Sequence, residues 1–249
     1  MTLKISIACE SDLVIIGAGG LGSEAAWVAD AMNAHAIQEQ HPAHWTMIRY
    51  ADDDAAKRGT LHVGRAVYGN IEDISRDFVG RDLHFFCAIG DNDARAKMVH
   101  RAANAGWKPA TLKHPSAIVA NSVQLGPGSY VGAGSVISVN VKIGAHVIVN
   151  MCASVGHDAI IEDFSQVSPG ARISGYCNLG RYALVGSNAT LMPGACIGNA
   201  AVVGANSLAH GFVEPNTTVC GVPARVIARR ERSNGDDLLL ASSTVSRRF

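Results

Sequence analysis

From Val119 to Val203 every sixth residue is aliphatic: Val119, Leu125, Val131, Ile137, Ile143, Val149, Val155, Ile161, Val167, Ile173, Leu179, Val185, Leu191, Ile197 and Val203. Four residues after each stands a small or compact side chain, from Val123 and Ser129 through Ala153, Ala159, Ser165 and Ala171 to Ala201 and Ser207. Glycine often follows the aliphatic position directly, as at Gly126, Gly156, Gly186 and Gly204. A period of six fits neither a helix nor a strand with alternating faces. It is the pattern of a hexapeptide β-helix. Each hexad makes one flat side of a coil, and three sides close a triangular turn. The aliphatic residue points inward, the small residue fills the space beside the axis, and the glycine is expected to relieve the corner backbone. No single coil buries its apolar side, so the stack is the folding unit. The repeat lapses at Ala209, and residues 211–216 are expected to break the stack.

Ahead of the repeats the pattern changes. Asp12 precedes the buried strand Leu13–Ile16, then Gly17-Ala18-Gly19-Gly20-Leu21-Gly22, then an Ala-rich helix over Ser23–Met32. Strand, glycine turn and helix open a nucleotide-binding βαβ unit, in which glycines let backbone approach a phosphate. A second strand over Trp45–Tyr50 leads into Asp52-Asp53-Asp54. Carboxylates there bind a ribose or base edge, or form a solvated acidic loop. Further strands are expected at Val67–Gly69, Leu83–Ile89 and Lys108–Leu112, with helices starting at Ile71 and spanning Ala94–Ala105. The fold class is therefore α/β plus all-β. Residues 1–117 form a small Rossmann-like domain, residues 118–227 a parallel β-helix, and residues 228–249 a short terminal helix or tail.

Composition narrows the function. Lys plus Arg and Asp plus Glu both number 21, and a neutral chain of 249 residues offers no large nucleic-acid surface. It contains no apolar run long enough for a membrane span, and no signal peptide is read at its start. The six cysteines are scattered without a C-x-x-C pair. They read as reduced thiols of a cytoplasmic protein.

Several motifs then stand together: the glycine loop, Ala88-Ile89-Gly90-x-Asn92-x-x-Arg95, His114-Pro115-x-Ala117, the hexads, and a closing Gly221-Val222-Pro223-Ala224-Arg225. In this combination the chain, from Asp12 to Ile227, resembles a family of bacterial sugar acyltransferases. It includes the sialic acid O-acetyltransferases and the UDP-4-amino-sugar N-acetyltransferases of bacillosamine biosynthesis. The resemblance implies a left-handed coil, a homotrimer, acetyl-CoA in grooves between coils, and an N-terminal domain that holds a nucleotide-linked sugar. It implies no metal.

Acyl transfer from a thioester needs a base for the nucleophile, donors for the developing oxyanion, and a groove that aligns the two substrates. His157, in Val155-Gly156-His157-Asp158, matches the family's catalytic histidine, and Asp158 would orient its imidazole. One coil is eighteen residues, so Gly175 is expected over His157, with its N–H toward the thioester oxygen. Ser187 and Ala205 stack in the same way, and the resemblance sets them along the CoA groove. It also implies that Gly17, Gly19, Gly20, Leu21, Gly22, Asp52, Asp53 and Asn92 face the acceptor. Two positions depart from the family. Gln166 stands where a second histidine is usual, and can hydrogen-bond an acetyl carbonyl but not act as an acid or base. Leu21 stands where the glycine loop often carries histidine.

The leading expectation is an acetyl-CoA-dependent N-acetyltransferase of a nucleotide-linked amino sugar, with His157 as general base at a subunit interface. The alternatives are O-acetylation of a sialic acid or related sugar, and a non-catalytic nucleotide-sugar-binding scaffold. A zinc-bearing coil of the γ-carbonic-anhydrase type is disfavoured, because that chemistry needs three converging histidines.

Overall fold

The computed structural model of the chain describes residues 11–230. Cys9 and the stretch 231–249, where a terminal helix or tail is expected, lie outside the described residues. The N-terminal domain runs β1 (Asp12–Ile16), α1 (Gly20–Gln38), β2 (Met47–Ala51), β3 (Leu61–His62), β4 (Arg65–Gly69), α2 (Ile71–Asp77), β5 (Leu83–Cys87), α3 (Asn92–Asn104) and β6 (Lys108–Pro109). Its sheet is ordered β3-β4-β2-β1-β5-β6. All neighbours are parallel except the hairpin β3–β4. β1 is central and fully buried, as its unbroken apolar run requires. Its first residue, Asp12, is buried between Arg49 and Arg81, at 3.1 and 3.0 Å. The expected strand over Lys108–Leu112 is two strands. β6 closes the first sheet, and β7 (Leu112–Lys113) opens the coil by pairing with Tyr130–Val131. The first coil layer thus starts six residues ahead of Ile118.

The coil is a left-handed β-helix of two-residue strands in three parallel sheets. Residues eighteen apart pair throughout the regular part, as in Ser154 with Arg172 and Gln166 with Leu184. The second residue of each regular strand is the aliphatic one read from the sequence, and from Val131 to Val203 these are buried. The first residue points out. On the first face these outward residues are Leu112, Tyr130, Ile148, Gln166, Leu184 and Val202. On the second they run from Ile118 to Leu208, and on the third from Gln124 to Phe212.

Two expectations are corrected. The glycines after the aliphatic residues do not relieve strain, since Gly156 and Gly186 lack a left-handed backbone. A Cβ on Gly156 would stand 2.5 Å from the Gly175 nitrogen, and one on Gly186 2.6 Å from the Ala205 nitrogen. Glycine is needed there because the next coil passes directly overhead. The left-handed turn falls two residues later, at Asn140, His146, Cys152, Asp158, Phe164, Tyr176, Tyr182 and Asn188, with φ between 55° and 60°. The stack also does not break after Ala209. Ala209 is buried in register, and Phe212–Val213 continues the third face against Cys196–Ile197 with two residues deleted. The coil ends in an antiparallel hairpin of Thr217–Gly221 with Ala224–Arg229, so Ala228 and Arg229 belong to a strand and not to a tail. The Val222–Pro223 peptide within it is cis.

The two domains share their cores. Tyr130 and Ile148 on the first face pack with Leu13, Ala25 and Phe86 of the N-terminal domain. At the corner between the third and first faces, Phe85, His146, Phe164 and Tyr182 stack face to face, at 6.0, 5.2 and 5.3 Å between successive centroids. Arg95 locks this corner. Its buried guanidinium donates to the carbonyls of Ile89 (2.9 Å) and Phe164 (2.7 Å) and to Asn92 Oδ1 (2.8 Å). Burial pulls its pKa down to about 10.

His146 lies within the aromatic stack, and burial, with Arg95 and His100 nearby, pushes its pKa down to about 4. The folded imidazole stays neutral where the unfolded one takes a proton. Stability should therefore be full above about pH 6.5 and fall by about 3 kcal/mol as the pH drops to about 4. Denaturant melts across this range should show that loss, and His146→Phe, which extends the stack between Phe85 and Phe164, should remove most of it.

Candidate active site

His157 sits at the corner between the second and third faces, two residues beyond inward Val155. Its Nδ1 is 2.9 Å from Asp158 Oδ2. The left-handed backbone at Asp158 (φ 57°) turns that carboxylate back to its neighbour. One coil below, Asn140 Nδ2 donates to Asp158 Oδ1 at 3.3 Å. These two hydrogen bonds, from His157 first and then Asn140, hold the Asp158 carboxyl below the usual carboxylate range. With Nδ1 engaged, Nε2 is the free nitrogen of the imidazole.

Gly175 lies over His157, and a Cβ there would come within 2.7 Å of Cε1 and Nε2. The glycine leaves room for the imidazole. The Gly175 N–H makes no hydrogen bond among the described residues. Tyr176 follows; its N–H donates to the His157 carbonyl at 3.0 Å, and its ring stands at 89° to the imidazole, 5.0 Å away. Further along the coil, Asn206 N–H donates to the Ser187 carbonyl at 2.9 Å, which holds Ala205 over the Gly186–Ser187 corner.

The glycine loop is the second centre. Gly17 (φ 105°) ends β1 and donates to the Ala51 carbonyl at 2.8 Å. Gly19 precedes α1 and supplies no side-chain cap. Leu21 packs into the cluster shared with Tyr130 and Ile148, so its side chain contributes to docking. Asp52 reaches across to the loop. It accepts from Ala18 N at 2.8 Å, from Lys57 Nζ at 2.8 Å and from Asp54 N at 3.0 Å. Burial works to raise its pKa, but these donors outweigh it and hold the carboxyl below its ordinary range. Asp53 pairs instead with Arg101, at 2.6 Å. Asn92 is used at both ends, donating to the Tyr182 carbonyl (2.8 Å) and accepting from Arg95. Gln166 is on the first face, toward the N-terminal domain, and its Oε1 is buried without a hydrogen-bond partner.

Three residues at these centres were not singled out from sequence. Asn140 and Tyr176 each stand eighteen residues from Asp158, so the coil period applied to Asp158 would have found them. His62 comes from the β3–β4 hairpin, which folds over the loop. Its Nε2 is 2.8 Å from Ser23 Oγ and 3.2 Å from the Gly19 carbonyl. No linear spacing marks it.

Among the described residues no three or more His, Cys, Asp and Glu side chains form a group able to hold a metal ion. No described helix is long and apolar enough to cross a membrane. The described cysteines are unpaired, and burial pushes the Cys87 thiol up to about 12.

A triangular coil, a histidine–carboxylate pair on its corner and an α/β domain with a glycine loop together have the build of a coil-type acyltransferase. Comparison with known proteins gives the family. Residues 12–102 match the PglD N-terminal domain. The chain is 31% identical over 155 residues to GDP-perosamine N-acetyltransferase of Escherichia coli O157:H7, covering 60% of this chain and 70% of that protein. A solved histidine-to-asparagine variant of perosamine N-acetyltransferase from Caulobacter crescentus, in complex with CoA and GDP-perosamine, superposes with a TM-score of 0.77 at 29% identity. It covers 87% of this chain and 97% of that one. The acetyltransferase domain of PglB from Neisseria gonorrhoeae FA1090, in complex with acetyl coenzyme A, gives a TM-score of 0.76 at 29% identity, over 88% and 99%. The chain belongs to the bacterial hexapeptide-repeat sugar acyltransferases.

Because the Gly175 position is occupied by the His157 ring, Gly175→Ala should displace the imidazole rather than the coil. Turnover should fall about a hundredfold, the scale of a positioned general base, while the thermal melting curve moves little.

Proposed function

We propose that this enzyme transfers acetyl from acetyl-CoA to the amine of a nucleotide-linked amino sugar. His157 takes the proton and Asp158 orients it. The amine nitrogen adds to the thioester carbon to form the N–C bond, the tetrahedral intermediate collapses with cleavage of the C–S bond, and the proton passes through His157 Nε2 to the departing thiolate. The Gly175 N–H meets the carbonyl oxygen as it becomes an oxyanion. Ser187 and Ala205 line the CoA groove. The glycine loop and Asp52 hold the acceptor in residues 1–117, while residues 118–227 carry the donor. The relatives support this reading, since solved members hold CoA with GDP-perosamine, or acetyl coenzyme A. Unpaired cysteines suit a cytoplasmic enzyme.

One observation carries the subunit arrangement. The N-terminal domain docks on the first face, whereas His157 is on the corner opposite that face. One chain therefore keeps its glycine loop and its base on opposite sides of the same coil. A neighbouring copy is needed to bring them together, and a closed trimer does this three times. Val136, Val139, Ile160 and Met192, all exposed, flank the His157 corner and suit such a contact.

Thiol release from acetyl-CoA with a panel of UDP-, GDP- and dTDP-amino sugars tests the reaction. His157→Ala should lower turnover by about a hundredfold or more, and near-full activity in that variant would remove His157 from the mechanism. Mixing tests the assembly. His157→Ala and a loop variant such as Asp52→Ala, each weak alone, should recover about a quarter of wild-type activity on co-assembly, as random pairing in a symmetric oligomer gives. A fully active monomer would contradict it.

A further inference from the structure

We propose that Tyr176 is the wall that limits the donor to a two-carbon acyl group. This rests on the proposed acetyl transfer and adds its donor specificity.

Asp158 holds His157 Nδ1, so the working edge of the ring is the one with Nε2. That edge faces Gly175, whose missing Cβ would sit 2.7 Å from it. The ring fills that space, so an acyl carbon within reach of both Nε2 and the Gly175 N–H must lie in the narrow opening beside this contact. Tyr176 bounds it. Its backbone is fixed by the hydrogen bond to the His157 carbonyl, and its ring stands upright 5.0 Å from the imidazole. A methyl group fits beside such a wall, and a longer chain runs into it.

The position is unusual for so large a side chain. The left-handed residues of this corner, coil by coil, are Asn140, Asp158, Tyr176, Gly194 and, in the shortened last turn, Gly211. The four others are small or polar, as a left-handed backbone favours. Phe164 and Tyr182 also adopt it, but they are buried in the stack beneath the N-terminal domain. Tyr176 is 66% exposed and packs edge-on against the base. Burial within its own chain does not account for it, whereas a boundary beside the reacting atoms does.

The test compares acetyl-, propionyl- and butyryl-CoA in wild type, Tyr176→Phe and Tyr176→Asn. Asn suits the left-handed backbone, as Asn140 shows in the same corner. Wild type and Tyr176→Phe should strongly prefer acetyl-CoA. In Tyr176→Asn, kcat/KM for butyryl-CoA relative to acetyl-CoA should rise about tenfold or more, the scale of a methylene admitted to a pocket. Should Tyr176→Asn not fold, Tyr176→Gly, which matches Gly194, carries the same expectation. A folded variant that discriminates among the three donors in wild-type proportion, in turnover or, where turnover is lost, in binding, overturns the proposal. Wild-type transfer from acetyl-CoA, measured in the same series, tests the proposed reaction separately. Competition of the three thioesters for binding reads the wall even without turnover.

Discussion

The structure depends on one constraint: each coil must lie flat on the one before it. Parallel pairing of residues eighteen apart satisfies the backbone and stacks aliphatic side chains along a single axis. At the corners this contact is so close that several positions admit only glycine. The same closeness builds the candidate site. Gly156 lies beneath the Gly175 nitrogen, and Gly175 leaves space for His157. The stack thus sets three consecutive layers of one corner, Asn140, His157 with Asp158, and Gly175 with Tyr176, within contact of each other.

Docking of the N-terminal domain follows from a second use of the ladder. On two corners the left-handed positions face outward. On the third they carry His146, Phe164, Tyr182 and Ala200, and the domain settles on that column. Arg95 completes it with hydrogen bonds to carbonyls and to Asn92, with no carboxylate among them. Breaking the contact would leave a buried cation and buried carbonyls unsatisfied, a cost that keeps the domains in one orientation. That orientation sets the glycine loop on the face opposite the His157 corner of its own chain.

Much of the site was legible because the coil turns sequence distance into height. His157 beneath Gly175, and Ser187 beneath Ala205, needed only the period of eighteen. The glycine loop was legible as a turn between strand and helix. Its surroundings were not. Asp52 was legible as a carboxylate beside the loop, but not that it holds Ala18 and Lys57, nor that Asp53 holds Arg101 and Asn92 serves Arg95 and Tyr182. These partners come from segments whose separation follows no period, so only folding brings them together. His62 reaches the loop for the same reason. The corner glycines were legible as a pattern but not in cause. Steric approach by the next coil is a long-range fact, while the left-handed turn two residues on is occupied by side chains of many kinds.

The sequence by itself determined the coil, its register and the layer of His157, because a fixed period leaves an inward aliphatic residue only one place to go. It also determined that an α/β domain precedes the coil. Tertiary structure decided what each polar residue touches and on which face the first domain sits. Those outcomes depend on side chains meeting across unrelated segments, where local propensity has no influence and where burial makes each unpaired polar group costly.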